Sequence, residues 1–293
     1  MRGRPTPGAR GHRLGRSTRG PQPADPAAVE AAAERIETSF PGGRMVWRSW
    51  GDGAPVILLH GGHGSWTHWL ANIPALSGTN RLLVPDMPGY GDSDRLPDAT
   101  LETLGFVIAC GLEEILPSPP VTLIGFSFGA TVGGVVARRM ESRLRRFVLV
   151  GASALGLPAP PMEPLENWWA VPGKADEMAA HRRNLARLMI HDAARIDALA
   201  VTLQARNARR TRFRSLRYAS GDSLTSCLRD VSVPLTAIWG EHDATALGHL
   251  LEREALLRRF DPALRFVTIE GAGHWVQYEA PEAFHAALQP DLG

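Results

Sequence analysis

The sequence predicts an α/β fold in which a mostly parallel sheet is flanked by helices and carries a helical insertion. Three observations carry that expectation. Short apolar or β-branched runs recur along the chain, as strands buried on both faces require. They end in glycine-bearing turns and helical segments, and the alternation lapses from Leu157 to about Asp222, where prolines and helix formers take over. At 293 residues, 44% hydrophobic and 21% charged, the chain is long enough to bury a large core and has an ordinary globular composition.

The N-terminus differs in kind. Arg2, Arg4, Arg10, Arg13, Arg16 and Arg19 stand among glycines and prolines with no acid in the first 20 residues. Neither a helix nor the apolar stretch of a secretory signal fits there. Residues 1–30 are therefore expected to form a disordered, arginine-rich tail. Taking its six arginines from the 32 basic residues leaves 26 against 30 acidic ones, so the body carries about −4. A nucleic-acid role would rest on the tail alone, without interleaved aromatics, and no nucleic-acid partner is expected. No apolar run reaches about 18 residues, so no membrane span is expected. Cys110 and Cys227 lie far apart with no CxxC spacing, which suggests neither a disulfide framework nor a zinc knuckle but reduced thiols and a cytoplasmic location.

The strands follow in order. Pro55 to Leu59 runs into His60-Gly61-Gly62, a turn whose backbone N–H groups can face a developing oxyanion. Arg81 to Val84 is the next apolar run. Pro120 to Ile124 then leads into Gly125-Phe126-Ser127-Phe128-Gly129 and the small, amphipathic stretch Ala130 to Met140. Strand, sharp turn and helix at that spacing make a nucleophile elbow, with flanking glycines removing the clashes a side chain would make. Pro234 to Trp239 ends in Gly240-Glu241-His242-Asp243, and Leu264 to Ile269 in a glycine-rich loop that reaches His274 and Trp275 before a last helix.

A serine hydroxyl needs a histidine base, an acid to orient it and donors for the oxyanion. Ser127, His274 and Asp243 fill the first three roles, and the amides of Gly62 and Phe128 are the oxyanion candidates. Asp243 sits where catalytic groups gather in open α/β sheets, at a strand's C-terminal end. His242 and His249 are alternative bases, although neither follows a strand and loop as His274 does.

On these residues the chain resembles an α/β-hydrolase-fold serine hydrolase over about residues 40 to 290. The family's motifs stand as His60-Gly61-Gly62-His63-Gly64, Asp86-Met87-Pro88-Gly89-Tyr90-Gly91-Asp92-Ser93, the elbow, Trp239-Gly240-Glu241-His242-Asp243 and Gly273-His274, in the order Ser, Asp, His. The resemblance implies a core of residues 40–156 and 223–290, with residues 157–222 as a helical cap between the sixth and seventh core strands. It also implies that the Asp86 segment is mainly a structural turn.

In the cap, Ile196, Leu199 and Leu203 recur at helical spacing and the next place on that stripe is Arg206. A planar guanidinium there suits a substrate carboxylate; otherwise it pairs with a cap or core carboxylate or snorkels to water. Leu203-Gln204-Ala205-Arg206 and Trp275 are similar to the carbon–carbon bond hydrolases that cleave meta-ring-fission products, in which that arginine binds the dienoate carboxylate. Phe126 departs from the asparagine common before the nucleophile in that subfamily and suits an esterase. His63 is expected to line the pocket; Trp168, Trp169, Met178 and Met189 could line it too, but aromatic and methionine residues in helical segments are more often plain packing. The trio His60, His63 and His68 invites a metal reading but lacks a zinc hydrolase's acidic motifs, so no metal and no other cofactor is expected.

The expected function is hydrolysis of a small, largely apolar carboxylic ester or related acyl substrate through an acyl-enzyme. Two alternatives stand beside it: C–C bond hydrolysis of a carboxylated vinylogous diketone, and non-catalytic ligand binding on a hydrolase scaffold. Serine rather than aspartate at the elbow argues against dehalogenase and epoxide hydrolase chemistry on this fold.

Overall fold

A computed structural model of the chain describes residues 12–14, 25–118 and 120–292. Its sheet contains β1 (His12–Leu14), β2 (Glu34–Phe40), β3 (Gly43–Trp50), β4 (Ala54–Leu59), β5 (Asn80–Asp86), β6 (Val121–Phe126), β7 (Leu144–Val150), β8 (Leu235–Gly240) and β9 (Arg265–Ile269). The spatial order is β1-β9-β8-β7-β6-β4-β5-β3-β2. All neighbours run parallel except β3, which pairs antiparallel with β5 and with β2. Pro41-Gly42 closes the β2–β3 hairpin, and Gly42 takes the positive φ of 87° that the second turn position requires. β6 and β8 are buried along their whole length, which is why both read as continuous apolar runs.

The helices are α1 (Pro26–Ala31), α2 (Ile73–Leu76), α3 (Leu101–Ile115), α4 (Phe128–Met140), α5 (Lys174–Asn184), α6 (Ala198–Arg209), α7 (Ser223–Leu228), α8 (Leu250–Leu257), α9 (Val276–Glu279) and α10 (Pro281–Leu288). Two apolar clusters lie on the two faces of the sheet. One joins Leu104, Ile108, Val132 and Val136 of α3 and α4 to Leu123, Leu149 and Trp239. The other joins Leu58, Ile124 and Val148 to Trp69, Phe284 and residues of α6 such as Leu203. Between β7 and β8 the described residues form helices and turns only. The second cluster therefore seats that helical segment on the strand ends.

The expectation of disorder through residue 30 fails at its end. Asp25 accepts the Ala27 N–H at 3.2 Å, Pro26 opens α1, and Val29 is buried. Glu30 pairs at 2.5 Å with the buried Arg48, and the Trp50 indole donates to the Val29 carbonyl at 2.8 Å. These contacts with β3 hold a helix too short to stand alone. His12–Leu14 also departs from the expected tail, adding a short strand to the β9 edge. The rest of the arginine-rich segment lies outside the described residues. Among the described residues no helix is long and apolar enough to cross a membrane.

Candidate active site

Ser127 stands between β6 and α4 with φ 52° and ψ −117°, and its N–H donates to the Val150 carbonyl at 2.8 Å. A non-glycine residue pays strain for that backbone, and the packing around it enforces the geometry. A Cβ on Gly125 would fall 2.5 Å from Ala130 Cα, and one on Gly129 would fall 2.4 Å from the Leu59 carbonyl oxygen. Only glycine lets strand and helix approach this closely.

The Ser127 hydroxyl lies 3.0 Å from His274 Nε2, and His274 Nδ1 lies 2.8 Å from Asp243 Oδ2. With the imidazole neutral, Nδ1–H donates to Asp243 and Nε2 accepts from the serine, the arrangement in which a histidine can take the serine proton. Asp243 is buried. Burial alone would push its carboxyl up, but His274 and the hydroxyl and N–H of Thr245, both donating to Oδ1, hold it below the usual carboxylate range. Thr245 escaped the sequence reading, although an Asp followed two residues later by a donor is the signal of an Asx turn. His249 instead pairs with Glu252 at 2.8 Å, and the ring of His242 stacks on His191 with centroids 3.8 Å apart.

The turn after β4 is held from behind by two buried histidines. His60 Nδ1 donates to the Gly61 carbonyl at 2.8 Å while Nε2 accepts the Met87 N–H at 3.1 Å. His68 Nδ1 accepts the Gly61 N–H at 3.2 Å. Burial lowers the pKa of both rings, and the neighbouring histidines push His68 lower still, so both are neutral at neutral pH. Gly62 adjoins Phe128: a Cβ on Gly62 would lie 3.8 Å from Phe128 Cβ and 2.6 Å from Ser215 Oγ. Phe128 is the first residue of α4, and N–H groups of a helix's first turn have no intrahelical acceptor. A negative oxygen near Ser127 is favoured by that end of the helix.

A cavity of about 420 Å³ opens beside Gly62 and His63 and is walled by the helical segment, through Trp168, Leu185, Met189 and Gln204 among others. His63 lines this cavity, with a positive φ of 52°. The other three predicted contacts need correction. Arg206 is exposed, because α6 begins at Ala198 after the Asp197 cap and turns Ala200, Leu203 and Asn207 inward instead. Phe126 is wholly buried beneath the site, its ring 5.0 Å from that of His274. Trp275 is also wholly buried, with its indole N–H donating to the His68 carbonyl at 3.0 Å and its ring stacked on Tyr278. The two aromatics pack against His274 and His68 respectively, rather than line the cavity.

The helical segment is tied directly to the histidine loop. The Trp275 N–H donates to the Met189 carbonyl at 2.7 Å. Glu279 accepts the N–H groups of Gly273 at 2.7 Å, His191 at 3.1 Å and Asp192 at 2.6 Å. Burial raises the Glu279 pKa, and these donors offset part of that rise. No group of three or more His, Cys, Asp or Glu side chains is arranged to hold a metal among the described residues.

The family model described as "Alpha/beta hydrolase family" matches residues 56–287. A 2-hydroxymuconate semialdehyde hydrolase from a Pseudomonas species is 34% identical over 112 residues, 37% of this chain and 40% of that protein. A 2-hydroxy-6-oxo-2,4-heptadienoate hydrolase from Pseudomonas putida is 26% identical over 249 residues, 80% of this chain and 87% of that protein. Among solved structures, a meta-cleavage product hydrolase from Pseudomonas fluorescens superposes with a TM-score of 0.70 at 22% identity, covering 86% of this chain and 95% of that one. A thermophilic esterase from Thermogutta terrifontis superposes with a TM-score of 0.65 at 24% identity, covering 89% and 98%. At these identities the superpositions establish the shared fold.

Proposed function

The chain belongs to the alpha/beta hydrolase family, and from that premise we propose that it is a serine hydrolase of small, neutral, largely apolar carboxylic esters or related acyl compounds. The observation that carries this reading is the lining of the cavity at Gly62 and His63. It contains no arginine or lysine, its one ionised carboxyl group is Glu166, and Trp168, Leu185, Leu188 and Met189 supply an apolar wall. Glu166 is itself paired with Arg183 at 2.6 Å and Arg187 at 3.2 Å, outside the lining, so a substrate carboxylate would find no unpaired cation in this wall, whereas an apolar acyl or aryl group is desolvated favourably.

In the proposed reaction the Ser127 oxygen attacks the carbonyl carbon as His274 Nε2 takes its proton. Asp243 keeps the imidazole oriented and stabilises its cationic form. The amides of Gly62 and Phe128 receive the oxyanion, a contribution of about 3 kcal/mol per donor to transition-state stability. His274 protonates the departing alcohol, then activates the water that releases the acid from Ser127. The two free thiols, Cys110 and Cys227, fit a reducing compartment, in line with a cytoplasmic location.

Carbon–carbon bond hydrolysis of a carboxylated diketone keeps support from the names of the relatives, but not from Arg206, which faces solvent. Steady-state turnover of a short-chain p-nitrophenyl ester beside a meta-cleavage dienoate separates the readings. Ester turnover that vanishes in Ser127→Ala and persists in Arg206→Ala is expected. Dienoate turnover that collapses in Arg206→Ala would replace the esterase reading, and no Ser127-dependent turnover of either compound would return the ligand-binding one.

A further inference from the structure

A second cleft, of about 340 Å³, lies between the turn after β5 and the segment that follows α6. Arg95, Arg212, Arg214 and Arg217 line it together with Leu96 and Phe213, and no acidic side chain does. None of the four guanidiniums has a carboxylate partner among the described residues, whereas the neighbouring Arg209 and Arg210 are paired with Glu177 and Asp92. Two of the four are held in place by main chain. Arg212 donates to the Ser93 carbonyl, and Arg217 donates to the Ala99 carbonyl at 2.7 Å while its guanidinium lies 5.3 Å from the Phe213 ring and 4.8 Å from the Tyr218 ring. Backbone carbonyls and ring faces fix these groups without neutralising them.

Four like charges around one cleft repel one another, on a body whose overall formal charge is negative. Arginines so gathered and left without acids match the recognition of phosphate or carboxylate oxygens, which guanidinium forks bind in pairs. Leu96 and Phe213 give the cleft an apolar floor. We propose that this cleft binds an organic anion that combines a phosphate or carboxylate head with a flat apolar group. The site is distinct from the cavity near Ser127, because Phe213 forms the floor on one side and stacks on Phe128 on the other, ring centroids 5.6 Å apart.

Isothermal titration of the full chain with phenyl phosphate and, separately, with inorganic phosphate tests the assignment. Arg95→Ala/Arg214→Ala is the reference variant; both side chains are exposed, and an unchanged unfolding midpoint verifies its fold. Arg95→Gln/Arg214→Gln serves if the alanine pair unfolds. Saturable phenyl phosphate binding is expected, weaker for inorganic phosphate, reduced at least tenfold in the variant and weakened by salt. No saturable binding overturns the site. Binding equally tight in the variant overturns it too, since the probe then sits elsewhere, and inorganic phosphate bound as tightly as phenyl phosphate overturns the organic class. None of these readings depends on ester turnover, so they stand apart from the fate of the esterase reading.

Discussion

His68 accepts the Gly61 N–H through Nδ1 at 3.2 Å, so a neutral buried imidazole fixes the turn that presents Gly62. The same ring lies 5.4 Å from Phe126 and 5.0 Å from Trp275, the residues before Ser127 and after His274, and its carbonyl takes the Trp275 indole N–H. One side chain thus touches Phe126 and Trp275, the neighbours of Ser127 and His274, and the turn that presents Gly62. It is a positioning residue.

His68→Leu leaves the Gly61 N–H buried and unpaired, a cost of about 1–3 kcal/mol. Turnover of the ester is expected to fall about tenfold to a hundredfold with KM nearly unchanged, because the loss is felt where the oxyanion forms. His68→Asn restores an acceptor and should recover part of kcat. Equal kcat in all three proteins would remove His68 from the positioning of the turn.

Ser127→Gly should abolish turnover and stabilise the fold. The strained backbone of a non-glycine residue costs about 1–3 kcal/mol, and glycine gives back about 0.5–1 kcal/mol in unfolded-state entropy. A net gain of about 1 kcal/mol is expected in urea unfolding. A variant no more stable than the wild type would show that the elbow is relaxed.

Thr245→Val keeps the side chain's shape and removes its hydroxyl donor to Asp243. Hydrogen bonds to buried charges contribute about 1.5–3 kcal/mol, so unfolding should occur at lower denaturant and kcat should fall. If both stay unchanged, the backbone N–H of Thr245 alone suffices to hold the carboxylate.

The desolvated histidines set a stability profile on the acid side. Burial lowers the folded pKa of His60, His63 and His68, so between that value and the unfolded value of about 6.5 the unfolded chain binds more protons. Stability is therefore fully present above about pH 6.5 and is lost as pH falls towards the folded values. Asp243, also depressed in the fold, adds loss in the same direction only below about pH 4. Calorimetric unfolding between pH 5 and 8 should show the decline, with a shallower slope in His68→Asn; a flat profile contradicts it.

What the sequence revealed and what it hid divide along the range of the interactions. Ser127, Asp243 and His274 lie at the ends of apolar strands with turn residues beside them, so local pattern and chain order place them. The stripe that leads to Arg206 starts at Ile196, outside α6, and steps on by three from Leu203; the buried face of α6 steps on by four, to Asn207, and leaves Arg206 outside. Phe126 and Trp275 show that adjacency to Ser127 or His274 does not give direction, since both faces of the sheet end are buried there. The order in α1 and the part played by His68 rest on contacts with residues far along the chain, and no local pattern reports them.

The bond from Trp275 to Met189, and the shared hold of Glu279 on Gly273, His191 and Asp192, make the position of the helical segment and that of the His274 imidazole one mechanical coordinate. Lifting the helical segment to admit a long acyl chain would drag on Gly273 and Trp275 and so pull the imidazole away from Ser127. On the proposed reading a large acyl group would then be discriminated against in kcat even where it gains entry, the size of the guest being felt in the alignment it permits rather than in the width of the doorway.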